Sequence, residues 1–465
     1  MILPNKIFVK TYGCQMNFHD SERIQGLFQQ QGYALADGIH DADVVLVNTC
    51  AVREKPERKL MAELGRLRAV KRANPKMVIG VTGCMAPRDG DIIRSRAPFV
   101  DLLVGPRSLS RLPDLVRQVQ LQRQLIDSVD LFDDPTPLTP VRRSSAVSAW
   151  VDIIYGCSYA CTFCAVPTAR GAEVSRPPQQ ILDEIDELVA LGYREITLLG
   201  QTVNAYGRDL RYRTLDGSAG PRERVDFSWL LGRIDARAPN LRVRFTSPHP
   251  QLFTDRLIRS ISELPTVCEH VHLPLQSADD RVLRRINRCY TYARYLSIVD
   301  KLRAASPGIS ITTDLIVGFP GETEAQFQKT LQAVRDVQFD QAFMFAYSPR
   351  RHTAAMEFAD TIPAEVQNRR LQELIALVND TAHNRNEQDV GRVFDVLVEG
   401  PSEKNPRRLS GRTRTNKLVV FDGSRDLIGQ LVPVKTKRAF LWGFDGEVRK
   451  LESVKVSPPT IVGGD

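Results

Sequence analysis

Six of the eight cysteines in this chain fall into two groups of three, and each group follows predicted strands. Cys14, Cys50 and Cys84 each end a short apolar run, with gaps of 36 and 34 residues between them. Cys157, Cys161 and Cys164 crowd into the loop after one further strand. Eight cysteines are too few for a disulfide scaffold in a chain of 465 residues, so metal binding or catalysis is the expected use.

The hydrophobic pattern predicts an α/β protein built from three modules. Strand-like runs at 7–9, 44–47, 78–81 and 100–104 alternate with helical segments and predict an open parallel N-terminal sheet. Six more βα units follow, too few for a closed eightfold barrel, so we expect a partial (β/α)6 barrel. Their strand candidates are 149–155, 195–200, 242–247, 268–275, 310–317 and 341–347.

The rhythm changes again near the C-terminus. A long helix is expected from 364 to about 389, and short strands at 393–399, 418–421, 428–434 and 439–442 predict a small all-β module. We therefore expect an N-terminal domain at 4–121, a polar and proline-rich linker at 122–142, a barrel at 143–376, the β module at 377–448 and a tail at 449–465.

Positive charge is concentrated in the β module. The chain has a formal net charge of +8, and residues 401–450 hold 12 Lys and Arg against 5 Asp and Glu. A basic module on a nearly neutral body favours a polyanionic partner such as nucleic acid, although a solvated surface would look the same. No apolar run approaches eighteen residues and the N-terminus has no signal-peptide pattern, so we expect a cytoplasmic protein without a membrane span.

The triad Cys157, Cys161 and Cys164 has the form C-x3-C-x2-C. Three thiolates on a compact loop can hold three irons of a four-iron cluster and leave the fourth iron open. The alternatives are a zinc knuckle, which usually supplies four ligands, and plain buried cysteines. The spacing resembles the signature of the radical S-adenosylmethionine superfamily, including an aromatic residue, Phe163, before the third cysteine.

The N-terminal trio is a weaker signal. Carboxyl ends of parallel strands face one crevice, so Cys14, Cys50 and Cys84 could meet there, and Gly13 and Gly83 permit tight turns before two of them. Three separate buried thiols are the alternative. Cys268 is expected in the core, and Cys289 has no assigned function.

Together these modules resemble the methylthiotransferases over about residues 5 to 448, and most closely the MiaB-type enzymes that act on isopentenyl-adenosine in tRNA. The N-terminal motifs that carry this resemblance are Thr11-Tyr-Gly-Cys-Gln-Met-Asn17 and Asn48-Thr-Cys-Ala-Val-Arg-Glu-Lys55. The barrel motifs are Gly171-Ala-Glu-Val-Ser-Arg-Pro177, Leu198-Leu-Gly-Gln-Thr-Val-Asn204, Pro274-Leu-Gln-Ser277 and Asp314-Leu-Ile-Val-Gly-Phe-Pro-Gly-Glu-Thr323. The segment Leu409-Ser-Gly-Arg-Thr-Arg-Thr-Asn-Lys417 is similar to a TRAM domain, an RNA-binding β fold.

The resemblance implies two [4Fe-4S] clusters and S-adenosyl-L-methionine, which serves as methyl donor and radical source. It places the catalytic cluster on Cys157, Cys161 and Cys164 and an auxiliary cluster on Cys14, Cys50 and Cys84. It implies a 2-methylthio product on N(6)-(dimethylallyl)adenosine beside the anticodon, a low-potential electron donor and, as we read it, a monomer. Expected cofactor contacts are Phe163, Gly200, Gln201, Gln276 and Asp314, although a polar residue at a strand end often only caps the next helix.

Phosphate contacts are expected from five cations of the β module, Arg407, Arg408, Arg412, Arg414 and Lys417. Arg170, Glu173 and Arg176 could orient the cofactor or RNA, or form only ion pairs. The sequence departs from the family at Ala165-Val-Pro-Thr168, at Arg351-His352 and at Thr202. Two alternatives stay open: a sister enzyme acting on threonylcarbamoyl-adenosine or on a ribosomal-protein aspartate, and a non-enzymatic RNA-binding or electron-transfer protein.

Overall fold

The computed structural model describes residues 5–51, 54–122, 126–128, 141–210 and 224–449. Most of the expected linker at 122–142, the tail from 450 onward, and Val52 and Arg53 of the motif after Cys50 lie outside these residues. The chain divides into two units, Met1–Ala382 and His383–Asp465. Among the described residues, no helix combines the length and apolarity needed to cross a membrane.

The N-terminal part of the first unit is a parallel sheet of six strands. They are β1 (Lys6–Tyr12), β2 (Ala34–Leu35), β3 (Val44–Thr49), β4 (Val78–Gly83), β5 (Leu102–Val104) and β6 (Ile126–Ser128), in the spatial order β2-β1-β3-β4-β5-β6. The helices of this part are α1 (Gln15–Gln30), α2 (Glu54–Ala73), α3 (Met85–Arg96) and α4 (Leu112–Gln122). Strands β3 and β4 are buried along their whole length, because apolar clusters cover both sheet faces.

The expected open parallel sheet is therefore confirmed. The prediction missed β2 and β6, which have only two and three residues and so are too short for an alternating pattern to stand out.

The rest of the first unit is a partial barrel of parallel strands. Its strands are β7 (Ser148–Asp152), β10 (Glu195–Leu199), β11 (Arg242–Phe245), β12 (His270–His272), β13 (Ser310–Val317) and β14 (Gln341–Ala346), and a short hairpin is made by β8 (Ile154–Tyr155) and β9 (Val174–Ser175). The order β7-β10-β11 and the order β12-β13-β14 form two three-stranded sheets, linked by a parallel bridge between Val243 and Val267. All six predicted strands are present, so the expected open barrel is confirmed.

Helices surround this barrel and bury its largest apolar cluster. They are α5 (Val166–Arg170), α6 (Pro178–Ala190), α7 (Phe227–Arg237), α8 (Asp255–Glu263), α9 (Asp280–Ile286), α10 (Tyr292–Ala305), α11 (Glu324–Val337) and α12 (Ala364–Glu387). Helix α11 begins with a full capping box, in which Thr323 and Gln326 satisfy each other's backbone donors. The helix expected at 324–337 is found at those residues.

The second unit contains a closed five-stranded β barrel. Its strands are β15 (Val393–Pro401), β16 (Leu409–Arg412), β17 (Leu418–Asp422), β18 (Leu431–Phe440) and β19 (Gly443–Val448). The small all-β module is confirmed, but two strand predictions were wrong. The strands expected at 428–434 and 439–442 merge into β18, because the polar run through Lys435 and Arg438 turns its charged side chains outward and stays extended.

Glycine fixes the backbone just before two of the predicted ligand cysteines. Gly156 precedes Cys157 with φ +70°, and a Cβ there would overlap the carbonyl oxygens of Gly171 and Ala172. Gly83 precedes Cys84 with φ +90°, and a Cβ there would lie 2.5 Å from the carbonyl oxygen of Thr49. Both turns therefore require a residue without a side chain.

We predict that Gly156→Ala lowers the free energy of unfolding by about 2–4 kcal/mol, because it combines a strained φ with backbone overlap. Urea unfolding of the metal-free chain, followed by circular dichroism, measures this. Gly65→Ala is the matched control, since Gly65 lies inside α2 with no neighbouring atom within 4 Å of a new Cβ. It should stabilise the chain by about 0.5–1 kcal/mol. Equal effects of the two substitutions would contradict the prediction.

Candidate cluster sites

The N-terminal cysteines meet at one edge of the sheet. Cys14 follows β1 as the N-cap of α1, Cys50 follows β3, and Cys84 follows β4 at the start of α3. These three strands are neighbours, and the backbone N–H of Cys50 donates to the carbonyl of Tyr12 at 2.9 Å. Cys50 and Cys84 are almost fully buried, whereas Cys14 is half-buried. The sequence-based expectation that strand ends would gather this trio therefore agrees with where the structure places the residues.

The three sulfurs act on one another electrostatically. A hydrogen bond from the Cys50 thiol is the main reason that the pKa of Cys14 falls to about 6. Burial raises the pKa of Cys84, and the neighbouring Cys14 adds to that rise. Three ionised thiolates at this edge therefore need positive charge beside them.

A buried polar network supports the trio from below. The Cys14 thiol donates to Asn17 Oδ1 at 3.3 Å, and Asn17 Nδ2 donates to Asn48 Oδ1 at 3.2 Å. Asn48 Nδ2 in turn donates to Ser21 Oγ at 2.9 Å. Since each amide has its partners, α1 and β3 are fixed relative to each other next to the cysteines.

The second trio lies on the loop between β8 and α5. The backbone N–H of Cys157 donates to the carbonyl of Gly171 at 3.0 Å, and that of Cys164 donates to the carbonyl of Cys161 at 3.0 Å. The Cys157 sulfur lies 3.2 Å from Thr202 Oγ1, in the turn that follows β10. Burial, followed by the charges of Cys161 and Cys157, raises the pKa of Cys164 to about 12. These thiols share one confined space, as the C-x3-C-x2-C spacing predicts.

Each trio is contacted by one arginine, which is buried in the case of Arg170 and half-buried in the case of Arg288. Arg170 Nε donates to Cys84 Sγ at 3.1 Å, and Arg288 Nη1 lies 3.6 Å from Cys161 Sγ. Although burial opposes it, the pKa of Arg288 is raised by Tyr290 and then by Cys161 and Cys164. Sequence analysis assigned no role to Arg288. It follows an ordinary amphipathic helix, and nothing in the sequence distinguishes it from the exposed arginines around it.

The donor chemistry of both trios fits iron–sulfur clusters. All eight cysteines are free thiols, and Cys268 is buried in the core as expected. Across the described ranges, no three His, Cys, Asp or Glu side chains surround a point where a single metal ion could be held. A mononuclear zinc site needs its sulfurs within about 2.3 Å of one ion, whereas a cube of four irons and four sulfides spreads its thiolates over separate irons.

The expected cofactor residues fall into two groups around the barrel mouth. Gly200 packs so closely that a Cβ would meet the Ile154 carbonyl at 3.0 Å, and the neighbouring Gln201 has a buried Oε1 without a hydrogen-bond partner. Gln276 adopts φ +70°, and its backbone N–H donates to the carbonyl of Asp314 at 2.8 Å. A strained backbone and an unpartnered buried oxygen are typical of ligand sites.

The other two expected residues have partners within the protein. Asp314 Oδ2 lies 3.3 Å from His272 Nε2 on the neighbouring strand. Phe163 packs against an apolar cluster that includes Ile286 and Phe319, so it anchors the cysteine loop to α9.

His249 is a further polar residue at this mouth that the sequence did not reveal. Its ring stacks on Tyr159 of the cysteine loop, with centroids 3.9 Å apart and planes 7° apart. Its Nδ1 accepts from the Gln251 N–H at 3.2 Å, and its Nε2 is buried without a partner. Burial and the charge of Arg288 lower the pKa of His249 to about 2, so the ring is neutral and its Nε2–H is a donor without an acceptor.

The expected RNA contacts lie on the second unit. Arg407 is exposed, whereas Arg408 is paired with Asp422 and Asp445. Arg412 Nε lies 3.4 Å from Glu399, and Lys417 Nζ lies 2.9 Å from Asp389. Arg414 is half-buried on the same turn. Some of these cations therefore organise the β module itself.

Comparisons with known proteins cover all three modules. Residues 6–105 match the family described as Uncharacterized protein family UPF0004, residues 151–334 match the Radical SAM superfamily, and residues 387–441 match the TRAM domain.

Solved structures share the fold. The radical S-adenosylmethionine methyltransferase TsrM from Kitasatospora setae, solved with cobalamin and a [4Fe-4S] cluster, aligns with a TM-score of 0.53 at 12% identity over 76% of this chain and 77% of its own. The cobalamin-dependent radical enzyme OxsB aligns with a TM-score of 0.52 at 12% identity, over 80% of this chain and 56% of its own.

Curated relatives named tRNA-2-methylthio-N(6)-dimethylallyladenosine synthase match nearly the whole chain. The protein from Moorella thermoacetica is 46% identical over 96% of this chain and 99% of its own length. The protein from Bacillus subtilis is 42% identical over 95% of this chain and 86% of its own. Identity at this level, across all three modules, shows that the chain belongs to the tRNA-2-methylthio-N(6)-dimethylallyladenosine synthase family of radical SAM enzymes.

Proposed function

We propose that this chain is a radical SAM methylthiotransferase that converts N(6)-(dimethylallyl)adenosine in tRNA into its 2-methylthio derivative. The observation that carries the proposal is the 46% identity to a relative of that name over 96% of the chain. The geometry adds that two cysteine trios, each contacted by an arginine, lie within one unit of the fold.

In this proposal Cys157, Cys161 and Cys164 hold the catalytic [4Fe-4S] cluster, and Cys14, Cys50 and Cys84 hold an auxiliary [4Fe-4S] cluster. When bound, the clusters and S-adenosyl-L-methionine supply the electron, the methyl group and the carbon radical that a ring C–H bond requires. The chain's own contribution is placement. Thr202 and Arg288 fix two sulfurs of the catalytic trio, and the unpartnered groups of Gln201 and His249 are available to bind the polar end of a cofactor.

We also propose a low-potential electron donor, a monomeric state and a cytoplasmic location. The free thiols support a reducing compartment, and clusters of this kind require a strong reductant. Light scattering of the anaerobically purified protein tests the monomeric state.

Deleting the gene should abolish 2-methylthio-N(6)-dimethylallyladenosine in cellular tRNA and leave the unmethylthiolated nucleoside in its place. Mass spectrometry of nucleosides from digested tRNA measures both. Complementation with the wild-type gene should restore the product. An unchanged level of the methylthio nucleoside in the deletion strain would refute the proposed substrate. Loss of a threonylcarbamoyl-adenosine product instead would identify a sister enzyme.

Iron analysis tests the two cluster sites separately. We predict about eight irons per wild-type chain and about four in each triple variant, because each trio holds one four-iron cluster. The first variant is Cys14→Ala, Cys50→Ala and Cys84→Ala, and the second is Cys157→Ala, Cys161→Ala and Cys164→Ala. Cys289→Ala is the control and should keep all the iron, since Cys289 is exposed and outside both trios. Of the two triple variants, only the first, which keeps Cys157, Cys161 and Cys164, should still cleave S-adenosyl-L-methionine to 5′-deoxyadenosine with dithionite.

RNA binding by the β module should depend steeply on salt. We predict that Arg407→Ala weakens tRNA binding and reduces the slope of log K against log salt by about 1. The reason is that the exposed Arg407 can contact a phosphate without first giving up an ion pair within the protein. Arg408→Ala should also lower the melting temperature of the module, because it removes the pairs with Asp422 and Asp445. Filter binding across a salt series measures the slope, and a flat response of the wild type would count against this role.

A further inference from the structure

Arg170 reaches from the catalytic loop to the auxiliary trio. It ends α5, six residues after Cys164, and only 4% of its surface is exposed. Its Nε donates to Cys84 Sγ at 3.1 Å, and its Nη2 donates to Asp20 Oδ2 at 2.6 Å. Its own carbonyl accepts from Arg107 Nε at 2.7 Å. The guanidinium is therefore fixed against a thiol that belongs to the other part of the fold.

The charge of Arg170 lies close enough to the trio to act on more than one sulfur. Although burial opposes it, the pKa of Arg170 is raised well above its usual value by Asp20, Cys84 and Cys14. In return, after the hydrogen bond from Cys50, the positive charge of Arg170 helps to lower the pKa of Cys14. The negative charge of Asp20, by contrast, raises the pKa of Cys84. A cation and an anion of known position thus lie beside the same trio.

We propose that Arg170 is a positioning residue that raises the reduction potential of the cluster on Cys14, Cys50 and Cys84, an inference that rests on the proposed function. The potentials of iron–sulfur clusters depend on nearby net charge and on hydrogen bonds to the sulfurs. Reduction adds one negative charge to the cluster, and a buried guanidinium that donates to a ligand sulfur stabilises that charge. Asp20 opposes this effect while it holds the guanidinium in place.

The five-residue helix α5 joins the catalytic cysteine loop to Arg170. The residue that contacts the auxiliary trio is therefore carried by the same segment as the catalytic trio.

The test uses the full chain with Cys157→Ala, Cys161→Ala and Cys164→Ala, so that only the auxiliary cluster remains. Dithionite titration followed by electron paramagnetic resonance gives its midpoint potential. Arg170→Gln should shift the reduction equilibrium at least tenfold toward the oxidised cluster. For a one-electron couple this corresponds to a midpoint potential about 59 mV lower. Arg170→Lys should shift it less, because the charge stays while the fixed geometry is lost.

Asp20→Asn separates electrostatics from structure. Both Arg170→Gln and Asp20→Asn break the same ion pair. If this pair served only to hold the structure together, both substitutions would move the potential in the same direction. The proposal requires opposite directions, with Asp20→Asn raising the potential. Arg244→Gln is the matched control, because Arg244 is likewise buried but pairs with Glu195 inside the barrel, and it should leave the potential unchanged.

The outcomes distinguish this inference from the function it rests on. If the background chain holds no iron, the auxiliary cluster itself is refuted. If it holds about four irons and the Arg170 and Asp20 variants keep its potential, or shift it in the same direction, only the role of Arg170 is overturned. If Arg170→Gln fails to load iron, the Asp20→Asn measurement decides, and an unchanged or lower potential overturns the role.

Discussion

The buried carboxylate of Asp152 is the contact on which the arrangement of the two cysteine trios depends. It ends β7, the first barrel strand, and it lies 3.1 Å from His19 Nε2, 3.4 Å from Arg23 and 3.1 Å from Arg176. Although burial opposes it, His19 and Arg176 hold the pKa of Asp152 far below its usual range. Because Cys14 is the N-cap of α1 and Asp152 stands five residues before Cys157, this one network sets the N-terminal sheet against the barrel.

Both trios would be unfavourable as bare thiolates. Burial raises the pKa of Cys84 and brings that of Cys164 to about 12, and neighbouring sulfurs add to each rise. A metal cluster would remove this penalty, because iron favours the deprotonated sulfur and the thiol proton is then released to solvent. The arginines at Cys84 and Cys161 supply further positive charge without competing for the iron. A cluster bound at either trio would therefore couple the free energy of its binding to the free energy of folding.

Sequence reasoning succeeded where one local rule decides the outcome. Strand periodicity and the rule that parallel strands end at one edge were enough to place Cys14, Cys50 and Cys84 together. It missed Arg288, His249 and the anchoring role of Phe163, because each depends on which distant element packs against it. It also split β18, since alternation of charged and small residues looks like a loop until the partner strands are known.

The roles of the 63 Lys and Arg residues likewise depend on whether each side chain is buried or exposed, and not on its residue type alone. Arg170 is buried and paired with Asp20, so RNA cannot reach it and its charge acts on Asp20 and on the sulfurs beside it. Arg412 and Glu399 of the β module form a pair in which both side chains remain partly exposed. An exposed pair of this kind is worth only about 0–1 kcal/mol, so a phosphate can replace the carboxylate at little cost. Cations that organise the module without RNA therefore remain available to a phosphate, whereas Arg170 is held in the interior by Asp20 and Cys84.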